Sequence, residues 1–137
     1  MRHPLHPALV HFPVACWSLA TAADLASLYF GRPAWWLAGV LMALGTICAL
    51  PAMLAGLLEL ARIPEDSPAV ATVNRHMVMA MVAFALYAAS LLLRLQGMRL
   101  AAPGPLEIAL GVLGFGCLGY VGWLGGKLVY GHRLGAD

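Results

Sequence analysis

Charge is what this chain has least of. Eight Lys or Arg and six Asp or Glu in 137 residues make 10% of the sequence, where soluble domains carry about 25%. The net charge of +2 is small and scattered, which excludes the basic surface that nucleic-acid binding requires. Cysteine is sparse too. Cys16, Cys48 and Cys117 are odd in number and each falls within an apolar run, so a disulfide framework is excluded and the thiols read as small apolar side chains. No Ser-His-Asp set, phosphate-binding loop or paired carboxylates can be picked out, which leaves hydrolysis and group transfer without support. The sequence displays neither a low-complexity segment nor an internal repeat.

What is there instead is apolar length. Apolar residues make up 62% of the chain, and four segments are long enough to cross a bilayer, which takes about 20 residues: Pro7 to Phe30, Trp35 to Leu60, Met77 to Leu93 and Leu106 to Tyr130. Arg2, the first apolar run and Ala20-Thr21-Ala22 imitate a secretory signal. His6, His11 and two prolines break that run, so it reads as a span. The expectation is an all-α, transmembrane four-helix bundle in one domain, with helices at about 7–30, 35–60, 68–94 and 106–130 and both termini on the same side. The bilayer is its first partner, and self-association into a homo-oligomer is compatible with it.

Polar residues inside such spans are costly and mark function or pairing. Three of the five histidines lie in His3-Pro4-Leu5-His6-Pro7-Ala8-Leu9-Val10-His11-Phe12-Pro13. Pro7 suits the first helical position, and Pro13 cannot donate to the Leu9 carbonyl, which predicts a kink beside His11. At 100° per residue His11 shares a face with Ala8, Ala15, Ser18 and Ala22, a small-residue stripe expected to face other helices. Glu59 shares a face with Ala55, Ala52, Cys48 and Gly45, and His76 with Ala80, Ala83, Tyr87 and Ser90. Asp24, near the far end, is expected to pair with Arg94 or Arg32 or else to lie in interfacial water. The fourth span carries Gly111, Gly114, Gly119, Gly122, Gly125 and Gly126 on one broad face, a groove for close helix packing or a flat ligand.

An even number of crossings places His3, His6, His11, Glu59, His76 and His132 near one membrane face. The bias of Lys and Arg, with Arg2, Arg62, Arg75, Lys127 and Arg133 on the histidine side against Arg32, Arg94 and Arg99, favours a cytoplasmic histidine face.

These motifs together resemble the bacterial membrane family DUF2231. The resemblance rests on His6-Pro7-x-x-Val10-His11-Phe12-Pro13, on Gly56-x-x-Glu59, on His76 before the third span, and on Gly125-Gly126-Lys127-Leu128-Val129-Tyr130-x-His132. One departure is Glu59, where the family pattern more often has Asp. The resemblance implies a four-helix protein of the inner (plasma) membrane with a connection to b-type haem or redox work. Some relatives look fused to c-type cytochrome domains, which implies a periplasmic histidine face, against the charge count.

Three uses of the histidines follow. Axial histidines commonly hold haem iron, and Gly and Ala stripes leave room for a macrocycle. On that reading His11 and His76 are the axial candidates for haem b, His6 and His132 are alternates or propionate partners, and Arg75 pairs with a propionate. Alternatively, several imidazoles with Glu59 satisfy a Zn, Fe or Cu ion, with Glu59 a ligand or the group that fixes a tautomer. In the third reading there is no cofactor, and the histidines hydrogen-bond between helices of a structural or partner-binding subunit. Any catalysis would be electron transfer, with a redox protein or another membrane subunit as partner.

Overall fold

The computed structural model describes residues 5–132, so His3, Arg2 and Arg133 lie outside the described residues. Helix α1 (Leu5–Leu9) and helix α2 (His11–Phe30) form one kinked span. Pro13 leaves the Leu9 carbonyl without its intrahelical donor. The neighbouring bonds hold across the kink, from Val10 N–H to the His6 carbonyl at 3.0 Å and from Val14 N–H to the Val10 carbonyl at 3.1 Å.

Gly31, at φ 64°, turns the chain alone. Helix α3 (Arg32–Leu60) therefore starts before the expected Trp35, with Pro33 in its first turn where a missing N–H is harmless. The chain stays helical through Pro51. Helix α4 (Val70–Leu93) starts slightly later than expected, after the Ser67 hydroxyl accepts the Ala69 N–H at 3.3 Å. A two-residue hairpin, β1 (Leu95–Gln96) with β2 (Arg99–Leu100), closes around Gly97 at φ 62°. Helix α5 (Pro105–Gly126) ends in a π-helical turn, Lys127–Gly131.

All four long helical stretches are apolar enough to span a membrane. The chain is an all-α transmembrane four-helix bundle with both ends of the described chain on one side. Its interior is organised by ring-on-glycine contacts. Trp17 of α2 and Tyr87 of α4 stack at 4.8 Å and 5° at the centre. Room for them comes from the other two helices: a Cβ on Gly45 of α3 would stand 2.6 Å from the Trp17 ring, and one on Gly114 of α5 2.8 Å from Tyr87. About three turns along each helix the scheme recurs. There His6 and His76 lie edge to face at 6.2 Å over Gly56 of α3 and Gly125 of α5.

The pairing exposes an internal repeat that the sequence does not display. His6 meets His76, Trp17 meets Tyr87 and Asp24 meets Arg94, each partner 70 positions along. Gly45 with Gly114 and Gly56 with Gly125 match at one residue less. The first helical hairpin and the second are thus related by a pseudo-twofold axis running along the bundle, as in parallel-repeat membrane proteins.

Beyond the aromatic layer, the Tyr87 and Thr21 hydroxyls are 2.7 Å apart, with Thr21 donating to the Trp17 carbonyl at 3.0 Å. The far end is closed by Asp24 and Arg94, both 1% exposed. Arg94 donates to the two Asp24 carboxylate oxygens at 2.9 Å each, and to the Ser90 hydroxyl at 2.9 Å. Of the partners expected for Asp24, Arg94 is the one it meets, while Arg32 is exposed. Removing one member of a buried pair strands the other charge, at a cost of about 3–5 kcal/mol. Asp24→Ala should therefore lose about that much in reversible unfolding in mixed micelles. A loss below about 1 kcal/mol would show that the pair is not desolvated as described.

Candidate functional site

The N-terminal turn of a helix has unpaired N–H groups and a positive dipole end. In α1 the answer comes from another helix: Glu59, in the last turn of α3, accepts the His6 backbone N–H at 3.1 Å. This fastens the first turn of the chain to α3 and fixes where the His6 ring can go. The ring lies against Gly56, where a Cβ would come 2.9 Å from Nδ1. Nδ1–H donates to the Ala52 carbonyl at 2.7 Å.

His76, in the second turn of α4, repeats this arrangement on the other hairpin. Its ring lies 3.6 Å from where a Cβ on Gly125 would be, and its Nδ1–H donates to the Val121 carbonyl at 3.1 Å. In each half the accepting carbonyl belongs to the residue four before the glycine. Committing Nδ1 as donor fixes the tautomer, and among the described residues the Nε2 lone pair has no partner. The two imidazoles thus share one hydrogen-bonding pattern, with ring planes at 81°.

His132 follows the π-helical turn, and its Nε2 lies 3.4 Å from the Thr72 hydroxyl, one turn before His76 on α4. Arg75 is exposed beside His76. Every helix thus contributes a polar group to one end of the bundle: His6, Glu59, Thr72 with His76, and His132. Among the described residues no group of three His, Cys, Asp or Glu is close enough to hold a metal ion by itself.

His11 does not join this cluster. It is exposed, as are Ala8, Ala15 and Ala22, so the stripe expected to face the bundle faces outward. Pro13, Trp17, Ala20, Thr21 and Asp24 form the buried face of α2 instead. The expected pairing of His11 with His76 is replaced by His6 with His76. The glycines of α5 divide similarly. Gly111 and Gly114 are buried, while Gly119 and Gly122 are exposed and, with Gly126, have open space where a Cβ would be. The roles of Ala52 and Val121 were out of reach of sequence reasoning, because a backbone carbonyl leaves no side-chain signal.

The family model described as a predicted membrane protein, DUF2231, matches residues 2–137. No curated protein and no solved structure matches the chain.

The two kinds of glycine predict different outcomes. Gly56→Ala forces the His6 ring off its carbonyl and should cost about 1 kcal/mol, the low end of the penalty for an unmade hydrogen bond because the donor is half-buried. Gly126→Ala meets nothing and should leave thermal stability in detergent unchanged or raised. Equal behaviour of the two variants in a melting assay would contradict the ring-on-glycine contact.

Proposed function

The chain belongs to the DUF2231 family of predicted membrane proteins, and within that frame we propose that it holds a haem b between His6 and His76 at one membrane face, for electron transfer. The observation that carries this reading is the matched pair of imidazoles, each with Nδ1 committed to a backbone carbonyl. Metal-binding histidines usually donate their other nitrogen in this way, which orients the ring and raises its basicity. The two rings are neighbours, with centroids 6.2 Å apart and planes at 81°, so both would be available to a group bound at this end of the bundle.

Ligand number favours haem over a bare ion. A porphyrin brings its own equatorial nitrogens and asks the protein for axial ligands only. A tetrahedral ion needs three or four protein ligands, more than converge among the described residues. When bound, the haem would supply a one-electron couple. The protein's own residues then have separable parts. His6 and His76 would supply Nε2, Gly56 lets the His6 ring approach α3, and Glu59 anchors the turn that carries His6. Arg75, exposed beside His76, and His132 would be the propionate partners in this reading. The fit of the exposed His11 to an axial role is poor, and it has none in this reading.

A second reading has its own observation. The same hydrogen bonds, His6 to Ala52 and His76 to Val121, tie α1 to α3 and α4 to α5, and a purely structural subunit would use them without a cofactor. Protein purified in detergent from haem-replete cells distinguishes the two. The haem reading expects a Soret band that shifts on reduction, lost in His6→Ala and in His76→Ala but kept in His11→Ala. A colourless preparation without iron, in which the same two variants lower only the melting temperature, would establish the structural reading instead.

A further inference from the structure

The outward face of the first span carries a pattern that neither the bundle nor lipid explains. Ala8, Ala15 and Ala22 recur every seven residues, with His11 and Ser18 between them in the three-and-four alternation of a helix-pair seam. A seven-residue repeat of small residues is the geometry of two helices crossing closely with a left-handed twist. All but the half-buried Ser18 are exposed, so no helix among the described residues fills the seam. Pro13 lies on the buried face, and its ring does not obstruct it.

His11 makes the outward direction consequential. It lies within the candidate span His6–Phe30, more than one turn beyond His6, and hydrocarbon at that depth would offer its ring no hydrogen-bond partner. The pseudo-symmetric position in the second hairpin, 70 residues on, is Met81, also exposed. Val78, Ala85, Ala88 and Leu92 replace the rest of the seam there. The second hairpin thus presents an ordinary apolar face to lipid, and the first alone presents an imidazole and a hydroxyl on a smooth alanine surface.

We propose that this face is where a second copy of the chain docks, with the two first spans parallel and in register along Ala8, His11, Ala15, Ser18 and Ala22. Two identical copies inserted the same way round are related by a two-fold axis along the membrane normal, which sets His11 against His11 and Ser18 against Ser18. Neutral imidazole and hydroxyl are each donor and acceptor, so each is its own complement across that axis. A partner of different sequence would need a matching polar group at the same depth; a second copy supplies it by symmetry. The proposal is independent of any cofactor.

Disulfide scanning in lipid vesicles tests it, using full-length protein with Cys16, Cys48 and Cys117 replaced by Ala. Oxidation should give covalent dimers from Ala15→Cys and from Ala22→Cys at least about tenfold faster than from Leu19→Cys, because only seam positions bring the Cβ atoms within the roughly 3.5–4.5 Å that a disulfide needs. Cross-linking from Gly119→Cys instead would place the contact on α5 and overturn the proposal. A second measurement keeps all three native cysteines: fluorescence energy transfer between labelled copies in vesicles should weaken about three- to tenfold in apparent affinity with His11→Ala, the worth of an interhelical hydrogen bond, and more with Ala15→Leu. Transfer at the random-proximity level for the unmodified protein, or unchanged by both substitutions, would equally overturn it.

Discussion

Three of the four rings at the axis of this bundle, those of Trp17, Tyr87 and His6, lie where the facing helix has no room for a Cβ, and this steric condition organises the interior. Gly45 and Gly114 admit the Trp17–Tyr87 stack, and Gly56 and Gly125 flank the His6–His76 pair. Because the rings come from the first and third spans and the glycines from the second and fourth, each layer ties all four helices together. Within a bilayer no solvent drives helices together, so such close contacts and interhelical hydrogen bonds do the associating. Heights and rotations of the spans follow from where the rings must land.

Polar groups are admitted to this interior only with partners. Among the described residues, no buried side-chain nitrogen or oxygen lacks a hydrogen bond. Arg94 spends its donors on Asp24, the Ser90 hydroxyl and the Ser90 carbonyl, while Ser90 in turn donates to the Glu107 carbonyl. At the other end, His6 and His76 each have one ring nitrogen without a partner among the described residues, so the two ends of the bundle differ in kind. One is closed by a buried ion pair; the other keeps two uncommitted imidazole nitrogens.

Much of this was legible in the sequence. The four spans, the side shared by Glu59, His76 and His132, and Arg94 as a partner for Asp24 all follow from apolar length and parity. The direction of His11 does not, since a stripe of Ala and Ser has the same signature whether it packs inside a bundle or against a neighbour outside it. The choice fell to Trp17, whose bulk is accommodated over Gly45 and so turns the opposite face of α2 outward. The internal repeat was hidden because its members are matched in shape and not in letter: Trp17 corresponds to Tyr87, Asp24 to Arg94 and Ala52 to Val121. Only the histidines and glycines are identical, too few to register as similarity in a string this rich in Leu, Ala and Gly.

The pseudo-twofold relation between the hairpins bears on what a single chain gains by containing both. An isolated hairpin assembled with its own twin would already place two equal imidazoles at one membrane face. It would also set like against like everywhere on the axis, so position 24 would oppose carboxylate to carboxylate. Covalent linkage releases the halves from that identity. Asp24 can then face Arg94, and the lipid-facing surface of one half can diverge from the other while the shared centre stays symmetric.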